Sequence, residues 1–337
     1  MAMRLVYMDD SAPGISRRRI RGKWAYFDSD GNRITDRDEI DRLNGVGLPP
    51  AYRDAWFAPR ADAHLLAVGF DARDRKQYRY HPDYRQEREA RKFELCLPFG
   101  RALPLLRARV SEDLSARKLT LERATASVLA LLDTGEIRVG NECYVQANKS
   151  YGATTLRNRH ARIEGGVLQL RFRGKSGKMR KIACTDRALV RCVRRMQDLP
   201  GQHLFQYVED DGTVTPVSSD DVNQYLRETM GQEFTARNFR TWAASVMGFG
   251  LVVEEGMGLK PILEAVAERL GNTPAIARKS YIHPAVIAVA RHDATLSEAL
   301  PRILPRKSRW LGCIERGFLA FLDDERVATM TIAKPAG

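Results

Sequence analysis

Leu168-Gln169-Leu170-Arg171-Phe172-Arg173 alternates apolar and polar side chains, Gly174-Lys175-Ser176-Gly177-Lys178 interrupts it, and Met179 to Cys184 resumes it. Alternation with period two marks a strand with one buried face, and here the opposite face is cationic. Two such runs around a glycine-containing break form a hairpin with Lys175 on its turn. The flanking sequence is helical. Upstream, Thr120 caps a helix whose Leu121, Val128, Leu129 and Leu132 make one apolar face, ended by Gly135. Downstream, Thr185 starts a helix with Leu189, Val193 and Met196 on its core face. Ser218 and then Thr235 begin two more, with Arg240 inside the second. Pro261 at a first helical position and Gly271 past the end bracket another. Thr273 caps a short helix with Pro274 at its first position, stopped by His283 and Pro284, and a last amphipathic helix carries Trp310, Leu311, Ile314 and Phe318.

The first ~85 residues read differently, as strands and turns. Lys23 to Phe27 and Asn32 to Thr35 flank Asp28-Ser29-Asp30-Gly31, a hairpin signal. Thr35 with Asp38 resembles a cap for a short helix ending near Leu43. Ala55 to Ala58, His64 to Val68 and Lys76 to His81 read as further strands. Arg85 to Lys92 is dense in charge and reads as a linker entering a helix. The expected fold class is α+β: a small β-rich N-terminal domain over residues 1–84, then a larger, mostly helical domain over 85–337 with the hairpin embedded in it.

Bulk properties bound the function. The chain of 337 residues carries 55 basic and 42 acidic side chains, a formal charge of +13. A surplus of that size points to a polyanionic partner, nucleic acid first. The cysteines Cys96, Cys143, Cys184, Cys192 and Cys313 include no C-x-x-C pair, so neither a disulfide framework nor a zinc site is indicated and a reducing cytoplasm fits. Met1 to Asp9 lacks a basic-then-apolar leader pattern, and no apolar run approaches the ~20 residues of a membrane span. A soluble, cytoplasmic protein is expected.

Cations, an amide and a phenol recur in a telling order: Arg138 in Ile137-Arg138-Val139-Gly140-Asn141, Lys175 on the hairpin turn, Arg240 in Asn238-Phe239-Arg240-Thr241-Trp242, Asn272 before Thr273-Pro274, and Tyr281 at the end of that helix. Cleaving a phosphodiester requires cations on the non-bridging oxygens, an acid for the leaving oxygen and an activated nucleophile. Arg138 and Arg240 suit the first task, because guanidinium forks match two phosphate oxygens. Lys175 suits the second and Tyr281 the third. A phenol ordinarily ionises near ~10, so nearby positive charge must stabilise the phenolate. Asn272 offers an uncharged donor, and Arg237, one turn before Arg240, is expected on the same helix face. Each has a plainer alternative. Tyr281 could be packed core, Lys175 a solvated turn residue, Asn272 a helix-entry residue, and Arg138 a partner of Glu136 or Glu142. Their order and contexts together favour the chemistry. No G-x-x-x-x-G-K-[ST] phosphate loop is present, since Gly174-Lys175-Ser176-Gly177-Lys178 has the wrong spacing, and no acidic metal cluster appears. No cofactor and no metal are expected.

The set Arg138, Lys175, Arg240, Tyr281 resembles the catalytic arginine, lysine, arginine and tyrosine of type IB DNA topoisomerases, the compact kind of bacteria and poxviruses, and the resemblance covers nearly the whole chain. Asn272 falls where poxvirus and eukaryotic enzymes have histidine and bacterial members commonly have asparagine, which implies neutral hydrogen bonding to the phosphate. Arg237 matches an accessory basic position. Lys76-Gln77-Tyr78-Arg79-Tyr80 resembles the DNA-reading strand of poxvirus relatives, which makes Gln77, Tyr78 and Tyr80 expected base or phosphate contacts, with both tyrosines on one strand face. Asn238 stands where compact relatives usually have aspartate, a departure expected to weaken orientation of nearby basic residues. The resemblance implies relaxation of positive and negative supercoils without ATP or metal, through a 3′-phosphotyrosyl link to Tyr281. It further implies a monomer clamping duplex DNA, at home in a bacterial nucleoid. A tyrosine recombinase shares the chemistry, but normally carries histidine where this chain has Arg237. A non-catalytic DNA-binding relative is the other alternative.

Overall fold

The computed structural model describes residues 5–332 other than 73 and 232, and leaves the side chains of 143, 144, 147, 176 and 330–332 undescribed. The chain divides into two compact units, Met1–Ala90 and Arg91–Gly337. The division falls later than residue 84. Arg85 to Lys92 is not a linker but part of a continuous helix, because nothing in that charged run breaks backbone hydrogen bonding.

In the first unit, β1 (Ile15–Ile20), β2 (Lys23–Phe27), α1 (Arg37–Gly45), β3 (Arg53–Phe57), β4 (Leu65–Phe70) and β5 (Lys76–Tyr80) follow in order. The strands form one sheet in the order β2-β1-β3-β4-β5, with every neighbouring pair antiparallel. Ile15, Tyr26, Leu43, Leu48, Phe57 and Ala67 make its core, with Tyr26 edge-on to Phe57 at 5.4 Å. The expected partner of β2 is corrected: Asn32 to Thr35 supplies only a bridge from Phe27 to Arg33, and the true hairpin partner is β1. Asp36, not Thr35, caps α1, accepting from the Asp38 amide.

The second unit is mostly helical. It follows α2 (Pro82–Glu94), within which the division lies, and opens with α3 (Cys96–Ser115), α4 (Leu121–Gly135) and α5 (Glu142–Asn148). A three-stranded antiparallel sheet comes next: β6 (Ala161–Glu164), β7 (Val167–Arg173) and β8 (Met179–Cys184). Then come α6 (Arg187–Gln197), the short pair β9 (Gln206–Val208) and β10 (Val214–Pro216), α7 (Ser219–Met230) and α8 (Arg237–Glu255). The chain continues through α9 (Leu259–Leu270), α10 (Pro274–Ser280), α11 (Pro284–Val289), α12 (Ala294–Ser297), α13 (Cys313–Asp323) and α14 (Glu325–Ile332). Capping follows sequence at Thr120, Ser218 and Thr273, each accepting from a backbone amide one turn on. Other helix starts are corrected. Asp186 rather than Thr185 caps α6, Ala236 rather than Thr235 precedes α8, and Gly258 rather than a residue next to Pro261 precedes α9. The helix expected to carry Trp310 and Leu311 begins only at Cys313, so both lie outside it, and α14 rather than that helix is the last among the described residues.

Phe99, Phe239, Trp242, Phe249, Phe318 and Phe321 lie in the buried core of this unit. The β7–β8 hairpin joins that core through Leu168, Leu170 and Phe172, the inward residues of the alternating strand. Its turn is thereby anchored at the base and projected at the tip. Arg107 of α3 ties neighbouring elements together: its guanidinium bonds Asp133 of α4 at 2.7 and 2.9 Å and Glu315 of α13 at 2.8 and 2.9 Å. Glu315 also accepts from the Trp242 indole at 3.2 Å.

Candidate active site

The end of α4 sets up the site. Gly135 is its last residue, and Glu136 turns the chain in the left-handed region at φ 52°. A non-glycine residue there is uncommon, and two bonds hold it. The Glu136 carboxylate accepts from Arg269 at 3.0 Å, and its carbonyl accepts from Arg240 Nη1. The chain then runs through buried Ile137 to half-buried Arg138. Neither plain partner suggested for Arg138 holds it. Glu136 pairs with Arg269 and Glu142 with Arg157, while Arg138 Nη2 donates to Asn272 Oδ1 at 3.1 Å.

That bond orients Asn272. With Oδ1 on Arg138, the remaining polar atom is Nδ2, a buried donor with no acceptor. Buried donors are rarely left unmatched, so this one is available to an anion. Arg240 is 3% exposed and similarly arranged. Its Nη2 donates to the Leu270 carbonyl at 3.0 Å, and its Nε is buried without an acceptor.

Three cations gather the C-terminal end of α9. Arg240 takes the Leu270 carbonyl, Arg180 takes Arg269 at 2.8 Å, and Lys178 takes Asn272 at 3.0 Å. A helix leaves its last carbonyls without intrahelical partners and carries partial negative charge at that end. Here those carbonyls stabilise positive groups that repel one another. Arg138, Lys175, Lys178, Arg180 and Arg240 bound one cleft with Tyr151 and Gly271.

Tyr281 is half-buried at the end of α10, with the Arg240 guanidinium 5.0 Å from its ring centre. Burial raises its pKa, but Arg240 and Arg138 outweigh burial and leave the phenol below its ordinary value. Arg240 is itself lowered by burial and by Arg138, and held up by Tyr281. The backbone around Tyr281 is fixed by Ser245, whose hydroxyl donates to the Tyr281 carbonyl at 3.1 Å and accepts from the His283 amide at 2.9 Å. Lys175 is exposed on the turn. The assembly can hold a tetrahedral oxyanion on Arg138, Arg240 and Asn272, beside a phenol of enhanced acidity and an ammonium group.

The remaining expected residues lie outside this cluster. Arg237 is exposed at the first position of α8, while Arg240 faces inward. Their spacing makes them neighbours on the helix, but Arg237 points to solvent and only Arg240 lines the cleft. The side-chain hydrogen bonds of Asn238 go to neither arginine. Its Oδ1 accepts from the Thr235 amide at 2.9 Å and the Thr235 hydroxyl at 3.2 Å, fixing the entry turn of α8. In the first unit, Tyr78 and Tyr80 stack on one face of edge strand β5, with centroids 5.9 Å apart and planes at 10°. Both are exposed. Gln77 donates to Asp71 at 3.1 Å. Sequence reasoning missed Arg180 and Lys178. Arg180 had a signal: it shares the inward side of β8 with Ile182 and Cys184, where an arginine is out of place.

Residues 81–290 match the model of the eukaryotic DNA topoisomerase I catalytic core, and residues 23–71 that of the bacterial DNA topoisomerase IB N-terminal domain. DNA topoisomerase 1B of Acanthamoeba polyphaga mimivirus is 30% identical over 285 residues, covering 80% of this chain and 85% of its own. DNA topoisomerase 1B of vaccinia virus (strain Copenhagen) is 21% identical over 79% of this chain and 90% of its own. Among solved structures, the XerH site-specific recombinase bound to palindromic difH substrate aligns over 56% of this chain and 50% of its own, at 14% identity and a TM-score of 0.36, a partial likeness only. The family match spans most of the chain and takes in every group of the cleft, and with it the chain belongs to the type IB DNA topoisomerases.

Proposed function

We propose that this enzyme relaxes positive and negative supercoils without ATP or metal, with Tyr281 as nucleophile. The observation that carries the reading is the Arg240 guanidinium over a Tyr281 ring whose pKa is lowered despite burial. Tyr281 Oη, its proton released to solvent, attacks a backbone phosphorus of duplex DNA as the phenolate, the P–O5′ bond breaks, and a 3′-phosphotyrosyl ester forms. Arg138, Arg240 and the Asn272 amide hold the non-bridging oxygens, where charge accumulates in the transition state. Lys175 gives its proton to the departing 5′ oxygen. The free 5′ end rotates about the intact strand, then attacks the phosphotyrosine, displacing Tyr281 and returning the proton. One phosphodiester replaces another, so no external energy source enters.

Gln77, Tyr78 and Tyr80 of the first unit, and Arg237 of the second, are proposed DNA contacts. The exposed, parallel Tyr78 and Tyr80 rings suit packing against sugar or base, and the surplus of +13 suits phosphate binding. The proposed working form is a monomer on duplex DNA in a bacterial nucleoid. Relaxation of oppositely supercoiled plasmids in EDTA without ATP tests the reading. Wild type should relax both and Tyr281→Phe neither. Relaxation of one sign only, or relaxation by Tyr281→Phe, would refute it.

A further inference from the structure

We propose that Arg180 is a positioning residue that latches the hairpin turn carrying Lys175 to the loop carrying Asn272. The inference rests on the reading of Lys175 as proton donor to the leaving oxygen. Arg180 stands opposite Phe172 in the β7–β8 ladder, so its backbone is fixed by the strand anchored in the core. Its side chain reaches from one site segment to the other. The stem passes Gly174, immediately before Lys175: a Cβ there would lie 3.2 Å from Arg180 Cγ. The head lies over Gly271, immediately before Asn272, where a Cβ would lie 2.8 Å from Arg180 Nη1. Gly271 also has φ +67°, the left-handed conformation that ends α9 and that glycine adopts without strain. Both neighbours of the latch are thus glycines against which the arginine fits closely.

The hydrogen bonds run the same way. Arg180 Nη2 donates to the Arg269 carbonyl at 2.8 Å, and Lys178 Nζ to the Asn272 carbonyl at 3.0 Å. The turn is closed on itself by the Gly174 amide donating to the Lys178 carbonyl at 2.8 Å. Holding the hairpin tip to the end of α9 fixes the separation between Lys175 and Asn272. A two-residue hairpin-to-loop bond is otherwise the sort of contact that breathes, since an exposed turn has little burial to order it. Misplacing a catalytic group by about 1 Å costs on the order of 10²-fold in rate.

The test compares single-turnover cleavage of a duplex with a normal 5′-oxygen leaving group and one with a 5′-thiolate, which leaves without a proton. Arg180→Ala should cleave the oxygen substrate roughly 10- to 100-fold more slowly, recover most of that loss on the thiolate, and bind DNA as wild type does. Amide hydrogen exchange at residues 174–178 and 271–272 should accelerate. Lys178→Met, which changes only an exposed side chain, should give a smaller defect with the same leaving-group selectivity, and serves if Arg180→Ala does not fold. Equal slowing on both leaving groups, or exchange unchanged from wild type, would overturn the latch. Lys175→Ala runs alongside: without thiolate rescue the role of Lys175 as acid falls, and exchange alone then decides whether Arg180 joins the two segments.

Discussion

Burial raises the pKa of a phenol because the phenolate gives up its water; at Tyr281 the guanidiniums of Arg240 and Arg138 reverse the sign. The direction has a consequence for rate. Below the lowered pKa the phenol is neutral, and the phenolate fraction grows as pH rises through it. Cleavage in a single turnover should therefore increase with pH and level off with an inflection below ~10, the ordinary tyrosine value. Arg240→Ala removes the largest opposing charge and leaves burial in place, so the inflection should move upward as the rate falls. A pH–rate profile with the same inflection in both proteins would contradict this electrostatic account. The sign for stability follows as well. A depressed phenol pKa contributes stability that is fully present above the unfolded value and is lost as pH falls through the folded one. At this scale the proposed residues Arg138, Lys175, Arg240, Asn272 and Tyr281 are singled out by their order and contexts taken together, and the structure brings Arg138 to Asn272 and Arg240 to Tyr281. The partners that orient them were not legible in the sequence. Nothing near Arg138 in the chain announces a bond to Asn272, 134 residues away, and the role of Asn238 as an acceptor for Thr235 depends on the turn that the two form together.

Among elements, the β7–β8 hairpin was readable because its alternation is strict and its inward residues Leu168, Leu170 and Phe172 are all apolar. Strand β1 was not, because Ile15-Ser16-Arg17-Arg18-Arg19-Ile20 shows no apolar alternation. Its arginines do packing work instead: Arg17 lies 4.3 Å from the Trp24 ring centre and donates to the carbonyls of Leu48 and Pro49. A long side chain can cover apolar surface with its stem while its head finds carbonyls, and no periodicity rule detects that. The helix α3 was likewise unannounced, although its Arg107 organises α4 and α13 through Asp133 and Glu315. Arg107→Ala would leave two largely buried carboxylates without their counter-charge. The expected loss is about 3 kcal/mol, the low end for breaking a buried pair because the cluster retains some solvent contact. A urea titration measures it as a lowered midpoint with unchanged slope; a loss under ~1 kcal/mol would mean that water replaces the guanidinium at little cost.

Over the whole molecule, chemistry and scaffold are concentrated differently. Every residue of the cleft belongs to the second unit, built around an aromatic core. The first unit has a small core and an exposed tyrosine pair on its edge strand. The two-unit organisation was legible from the change from strand to helix signals, but its boundary was not, since a charged helix and a charged linker have similar composition. No helix among the described residues is long and apolar enough to cross a membrane. The central claim is that the cations of the second unit serve a covalent step at one phenol. It is tested most directly by incubating the enzyme with a duplex whose short cleaved fragment diffuses away, trapping the covalent complex, and mapping the modified peptide by mass spectrometry. The account predicts a nucleotide 3′-phosphate esterified to Tyr281 and no adduct with Tyr281→Phe. An adduct on any other residue, or its persistence in Tyr281→Phe, would contradict it.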